Sequence, residues 1–154
     1  MPRRVPNGSI PAIMSHLAAQ YPTMNAPATA PRLEDHGDDR VAAVALRAFF
    51  ALADAWGLDT ETQRVLLGRP GTRTLYRWRS EGARQLPPDT LERISLLVGI
   101  YKALHVLLPD ATQADGWIHR GNAAFGGRSA LDVMRQGKVD DLYRVRRHLD
   151  AWRG

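Results

Sequence analysis

The sequence predicts an all-α protein. Three observations lead there. Apolar residues recur at helical spacing in successive segments from Val41 to Trp152, Gly and Pro with adjacent capping residues separate those segments, and no Cys is present to staple an irregular fold. A chain of 154 residues can hold one compact helical domain or two small subdomains sharing a core. Three parts are expected: a flexible Pro-rich arm over residues 1–37, a helix-turn-helix-like domain over 38–108 and a small helical domain over 109–154.

Residues 1–31 hold six of the ten prolines, two Arg and no acidic residue, too little periodic apolar surface to repay ordering. Asp38 or Asp39 is placed to cap a first long helix over 40–56, with Val41, Val44, Ala45, Ala48, Phe49, Leu52 and Trp56 at helical spacing and Gly57 as its stop. Asp59 or Thr60 caps a second helix containing Val65, Leu66 and Leu67, and Gly68, Arg69, Pro70 and Gly71 form a turn. A third helix over 72–81, closed by Gly82, puts Leu75 and Trp78 on one side at i and i+3. Two short helices joined by a turn of about four residues, the second rich in Arg, Thr and Tyr, read as a helix-turn-helix. Arg73, Thr74, Tyr76, Arg77 and Arg79 are left to project outward, where Arg can bridge guanine or grip phosphate and Tyr can reach a backbone oxygen. The bland reading of the same helix is a solvated Arg-rich face.

Pro87, Pro88 and Asp89 start a long helix that runs to Leu108, before Pro109, with Glu92, Ser95, Gly99 and Lys102 as a narrow polar strip. A helix so apolar must be covered on nearly every other side, by its own domain or by a second copy in a homodimer. Ser129 is placed as the N-cap of a short helix over 130–136 that turns Leu131 and Val133 or Met134 inward and ends at Gly137. The last helix, over 138–152, carries the stripe Val139, Leu142, Val145, Leu149 and Trp152, with Asp140 and Arg144 as an i, i+4 pair on its wet side. Arg144, Arg147 and His148 are expected to be exposed. Arg near a helix C-terminus also simply complements the helix dipole.

Composition narrows the classes of function. The net charge is +5, with 19 Arg against 2 Lys, which suits nucleic acid or an acidic partner, although a genome biased toward Arg codons produces the same ratio. No apolar run approaches the roughly 20 residues of a spanning helix, and Pro6, Gly8 and Pro11 interrupt any secretory signal, so a cytoplasmic protein without membrane contact is expected. His16, His36, His105, His119 and His148 are scattered and have no Cys to complete a zinc set, so no metal is expected. A phosphate-binding loop with Lys and a Ser nucleophile elbow are both missing, and no catalytic residue or cofactor is expected. Gly126, Gly127, Arg128 and Ser129 read first as a capped turn and second as an anion cradle.

The segment 116–137 sets an aromatic anchor, a glycine corner and a capped short helix in fixed order: Trp117, Asn122, Phe125, Gly126, Gly127, Leu131 and Gly137. That order resembles the C-terminal toxin-binding domain of the antitoxins grouped as Xre, MbcA and ParS. The resemblance covers residues 40–154, with one departure, Gly121 where the family usually has Pro before the Asn. It implies a type II antitoxin that inhibits a toxin carrying a RES domain, a class of toxin that consumes NAD or transfers its ADP-ribose. It also implies occlusion of the toxin's active site by the antitoxin's C-terminal end. On that reading Trp152, Arg153 and the Gly154 carboxylate enter the pocket, with Asn122, Arg128, Arg147 and His148 around the interface. A homodimer within a hetero-oligomeric complex and repression of its own operon through operator DNA are further expectations. The resemblance also implies that some family members keep the central domain chiefly for dimerisation and toxin packing. The rival readings are a stand-alone helix-turn-helix transcriptional regulator and a purely structural dimerisation module.

Overall fold

A computed structural model of the chain describes the backbone of residues 35–154 and the side chains from Asp39 onward. The expected arm over 1–37 falls almost entirely outside the described residues. Among the described residues the regular elements are all helical: α1 (Asp35–Ala55), α2 (Thr60–Leu66), α3 (Thr72–Glu81), α4 (Pro88–Leu107), α5 (Ala111–Trp117), a 3-10 turn (Ala123–Phe125), α6 (Ala130–Met134) and α7 (Val139–Arg153). An isolated antiparallel bridge joins Gly121 to Ser129.

The helix boundaries follow the capping chemistry with three corrections. α1 begins at Asp35, so Asp38 and Asp39 lie within its first turns and neither is its cap. α6 is shorter than expected, ending at Met134, and Arg135 and Gln136 form the turn that leads to Gly137 at φ 88°. α7 begins after Lys138, whose backbone N–H donates to Asp141 Oδ2 at 3.1 Å. The other expected caps form: Asp59 Oδ1 accepts from Thr62 N at 2.8 Å, and Ser129 Oγ accepts from Asp132 N at 3.0 Å. The Asp59 carboxyl is held below its ordinary pKa by the side-chain and backbone hydrogen bonds of Thr62.

α4 is the axis of the molecule. Its hydropathy is high all round, and α1, α5 and α7 all pack against it. Ile94, Leu97, Ile100 and Leu104 are fully buried together with Phe49 and Leu52 of α1, Leu66 of α2 and Leu142, Val145 and Leu149 of α7 in one continuous cluster. The polar strip of α4 is where α7 crosses it: Tyr143 donates to Glu92 at 2.5 Å, and Gly99 is buried beneath the Arg146 guanidinium. That hydrogen bond pushes the Tyr143 hydroxyl above its ordinary pKa. Tyr101 stacks on His105 with ring centres 4.1 Å apart, and His105 Nε2 lies 2.9 Å from Asp115 on α5. Burial, reinforced by the Asp115 charge, raises the Tyr101 hydroxyl to about 12 and keeps it a neutral phenol.

The turn between α2 and α3 lies against both the start of α4 and the entry to α7. Arg69 adopts φ 65°, uncommon for a residue with a side chain, and its backbone N–H donates to Arg64 O at 2.8 Å. Its guanidinium reaches Gly137, at the entry to α7, where a Cβ would stand 2.8 Å from Arg69 Nη2. On the other side Gly68 lies against the Asp89 and Arg93 ion pair of α4.

Candidate functional site

Two exposed surfaces carry the residues that the sequence singles out. The first is α3. Leu75 and Trp78 are buried, which anchors the helix on the core, while Arg73, Tyr76 and Arg77 are exposed and Thr74 is half-buried. Arg79 is occupied differently: its Nη2 donates to Asp54 of α1 at 2.7 Å, and its guanidinium lies 5.2 Å from the centre of the Phe50 ring. It secures α3 to α1 by charge and by cation–π attraction. The N-cap of α3 is Gly71, which has no side chain to satisfy the first-turn N–H groups.

The second surface is an aromatic corner at the end of α7. The loop after α5 is organised by Asn122, whose Oδ1 accepts from Ala124 N at 2.9 Å and whose carbonyl accepts from Phe125 N and Gly127 N at 3.0 and 2.9 Å. Gly126 and Gly127 follow at φ 66° and 84°, a left-handed pair that turns the chain back on itself. Gly121 completes the corner by close approach, since a Cβ there would stand 2.7 Å from the Gly127 carbonyl oxygen. The corner is fixed by hydrogen bonds around a residue with no side chain.

That loop sets Phe125 beneath α7. Trp117 and Phe125 meet edge to face with ring centres 6.4 Å apart, and His148 packs against both, stacked on Trp117 at 5.9 Å and edge-on to Phe125 at 5.1 Å. Trp152, one turn on, tilts over Trp117 at 6.2 Å and is 47% exposed. The expected continuous stripe on α7 is therefore buried only from Leu142 to Leu149: Val139 is half-buried, and Trp152 is an exposed surface residue leaning on half-buried Trp117. Arg144 is likewise not paired with Asp140: its guanidinium lies 5.5 Å from the centre of the Phe125 ring, and the ion pair on this helix joins Arg146 to Asp150.

The structure thus brings His148 and Trp152 together with Trp117, Phe125 and Arg144. Asn122 serves the loop itself. Arg128 is exposed and donates to Asp132 O at 3.1 Å, Arg147 is exposed, and Arg153 lines a cleft on the α4 side of α7. Gly154 is exposed at φ 81°. Phe125 is buried in the core and half-buried Trp117 packs against it, and together they form a platform for His148 that the sequence does not announce. The spacing of Trp117 from Phe125 holds no sign of a partner more than twenty residues away. Among the described residues no group of His, Cys, Asp or Glu is placed to hold a metal, and no helix is long and apolar enough to cross a membrane.

The Arg-faced helix-turn-helix thus continues into a helical end that carries an exposed aromatic corner. Comparison with known families makes this specific. Residues 36–99 match the antitoxin Xre-like helix-turn-helix domain, and residues 103–154 match the antitoxin Xre/MbcA/ParS C-terminal toxin-binding domain. The chain is also 50% identical over 109 residues to the uncharacterized protein y4oB of Sinorhizobium fredii, a match spanning 71% of this chain and 84% of that one. The chain belongs to the Xre/MbcA/ParS antitoxins: it is the antitoxin of a toxin–antitoxin pair, and its partner is a toxin.

Proposed function

We propose that this antitoxin neutralises a RES-domain toxin that consumes NAD or transfers ADP-ribose, by laying the aromatic corner and the last turn of α7 over the toxin's active site in the cytoplasm. The observation that carries this reading is the exposure of Trp152 beside the stacked Trp117 and His148 pair, inside the toxin-binding domain. Exposed Trp flanked by Arg is the composition of interface anchors, because the indole buries a large area at small entropic cost and Arg pairs bidentately with acidic or phosphate groups. Trp152, Arg153 and Gly154 are the residues that enter, with Arg128, Arg147 and His148 at the rim and Asn122 setting the loop.

In the same proposal α3 reads operator DNA through Arg73, Thr74, Tyr76 and Arg77, with its uncapped N-terminus near a phosphate, and a homodimer spans two half-sites to repress the operon. Arg79 is reassigned from base contact to holding α3 on α1. Free exposure of Tyr76 and Arg77 also fits a stand-alone transcriptional regulator, which would need no toxin at all.

Co-expression with the neighbouring reading frame separates the two. A toxic neighbour rescued by the wild-type chain, and not by the Trp152→Ala chain, supports neutralisation through the corner. Rescue that is indifferent to Trp152 sends the contact elsewhere, and a harmless neighbour leaves the regulator.

A further inference from the structure

An open cleft of about 340 Å3 lies between α4 and α7, lined by Gly99, Lys102, Val106, Arg146 and Arg153. Its floor is prepared. Gly99 leaves the α4 backbone bare, and Arg146 fills the gap so closely that a Cβ at 99 would stand 1.6 Å from Nη1. The Arg146 Nε donates to both carboxylate oxygens of Asp150 at 3.1 and 3.2 Å, which fixes the plane of the guanidinium and leaves its terminal N–H groups for another acceptor. Lys102, half-buried, follows Gly99 by one turn of α4, and Arg153 follows Arg146 by two turns of α7. Among the described residues Asp150 is the one carboxylate within ion-pair distance of these three bases, so the cleft keeps an excess of positive charge. Val106, 62% exposed, gives it an apolar rim.

The dipole of α7 accounts for a base in its last turn, which is Arg153. It does not account for Lys102 on another helix, nor for a guanidinium seated on a glycine and oriented by a carboxylate. We propose that this cleft binds a phosphorylated small molecule, its phosphate held by Lys102, Arg146 and Arg153 and its organic body against Val106. A phosphate dianion matches the excess charge, a planar guanidinium edge matches its oxygens, and a cleft of this volume lies at the small end of ligand sites. The proposal stands apart from the toxin contact, with which it shares only Arg153.

Calorimetric titration of the full chain at about 0.15 M salt tests it, with AMP and pyrophosphate as probes and adenosine as the phosphate-free control. The expected result is saturable binding of a phosphorylated probe, one per chain, with none of adenosine. Lys102→Ala and Arg146→Gln should each weaken it by about tenfold or more, while Arg84→Ala, on the surface of the helix-turn-helix, leaves it unchanged. Gly99→Ala is the sharpest probe: Ala suits a helix better than Gly, so the fold survives while the guanidinium is driven from its seat and binding falls. Thermal melts confirm folding, and should Arg146→Gln melt early, Lys102→Ala and Gly99→Ala decide. No binding of either probe up to about 10 mM overturns the proposal, as does folded Lys102→Ala binding like wild type or equal weakening by Arg84→Ala.

Discussion

Gly121 shows how much one residue without a side chain can fix. Any substitution there meets the Gly127 carbonyl at 2.7 Å, and because that atom is backbone the loop itself must move. Gly121→Ala is expected to cost about 1–3 kcal/mol of stability, read from chemical denaturation, and to weaken toxin binding further by shifting Phe125 from beneath His148. Asp59 offers a second test. Removing the cap by Asp59→Ala is expected to cost about 1 kcal/mol. The Asp59 pKa is depressed in the folded protein, so its stabilisation is present above the unfolded-state value and is lost as pH falls through the folded one. The difference in stability between wild type and Asp59→Ala should therefore narrow under acid conditions, and a constant difference would remove the ionised cap from the account.

At the scale of elements, α3 separates two kinds of arginine. Arg77→Ala is expected to weaken binding to the chain's own promoter by about 1–3 kcal/mol and leave the melting temperature alone. Arg79→Ala should instead lower stability by up to about 1 kcal/mol, since it removes an exposed ion pair and a cation–π contact that hold α3 to α1. Gel shifts and melts on the two variants check the assignment, which fails if their roles exchange. The helices themselves were legible because periodicity and caps act over three or four residues: Asp59, Ser129, Gly57 and Gly82 mark boundaries within reach of their partners. The start of α1 was not legible, because two adjacent acids imitate a cap while the helix extends upstream of them. Arg79 eluded the reading for a different reason: its partner, Asp54, lies 25 residues away, and helical spacing says only that a side chain points off the helix, not what waits there.

Taken whole, the molecule has one core through both matched regions, with α4 packed on α1 and α7 alike. Leu149→Ala on α7 is accordingly expected to cost about 2–5 kcal/mol and to lower the melting temperature of the entire fold in a single transition. Two separate transitions would mean that the regions unfold independently. Removing Arg153 and Gly154, both exposed beyond the buried stripe, should leave that transition nearly unchanged and relieve inhibition of the toxin; full inhibition by the shortened chain would move the contact to the loop around Phe125. The order of the corner's parts could be read from the sequence, as Trp117, Asn122, Phe125 and the paired glycines. Its assembly could not, because packing His148 against Trp117 and Phe125 depends on how α7 crosses α4.

Arg69 and Gly137 set a rule for anyone who would graft these parts. One guanidinium occupies the space that a side chain at 137 would need, and Val65 Cγ1 stands 3.3 Å from the same point. A chimaera that joins this helix-turn-helix to a sister chain's toxin-binding end must import compatible residues at 65, 69 and 137 together. An exchanged C-terminal segment that brought any residue other than Gly to position 137 would meet Arg69 and Val65 at the seam.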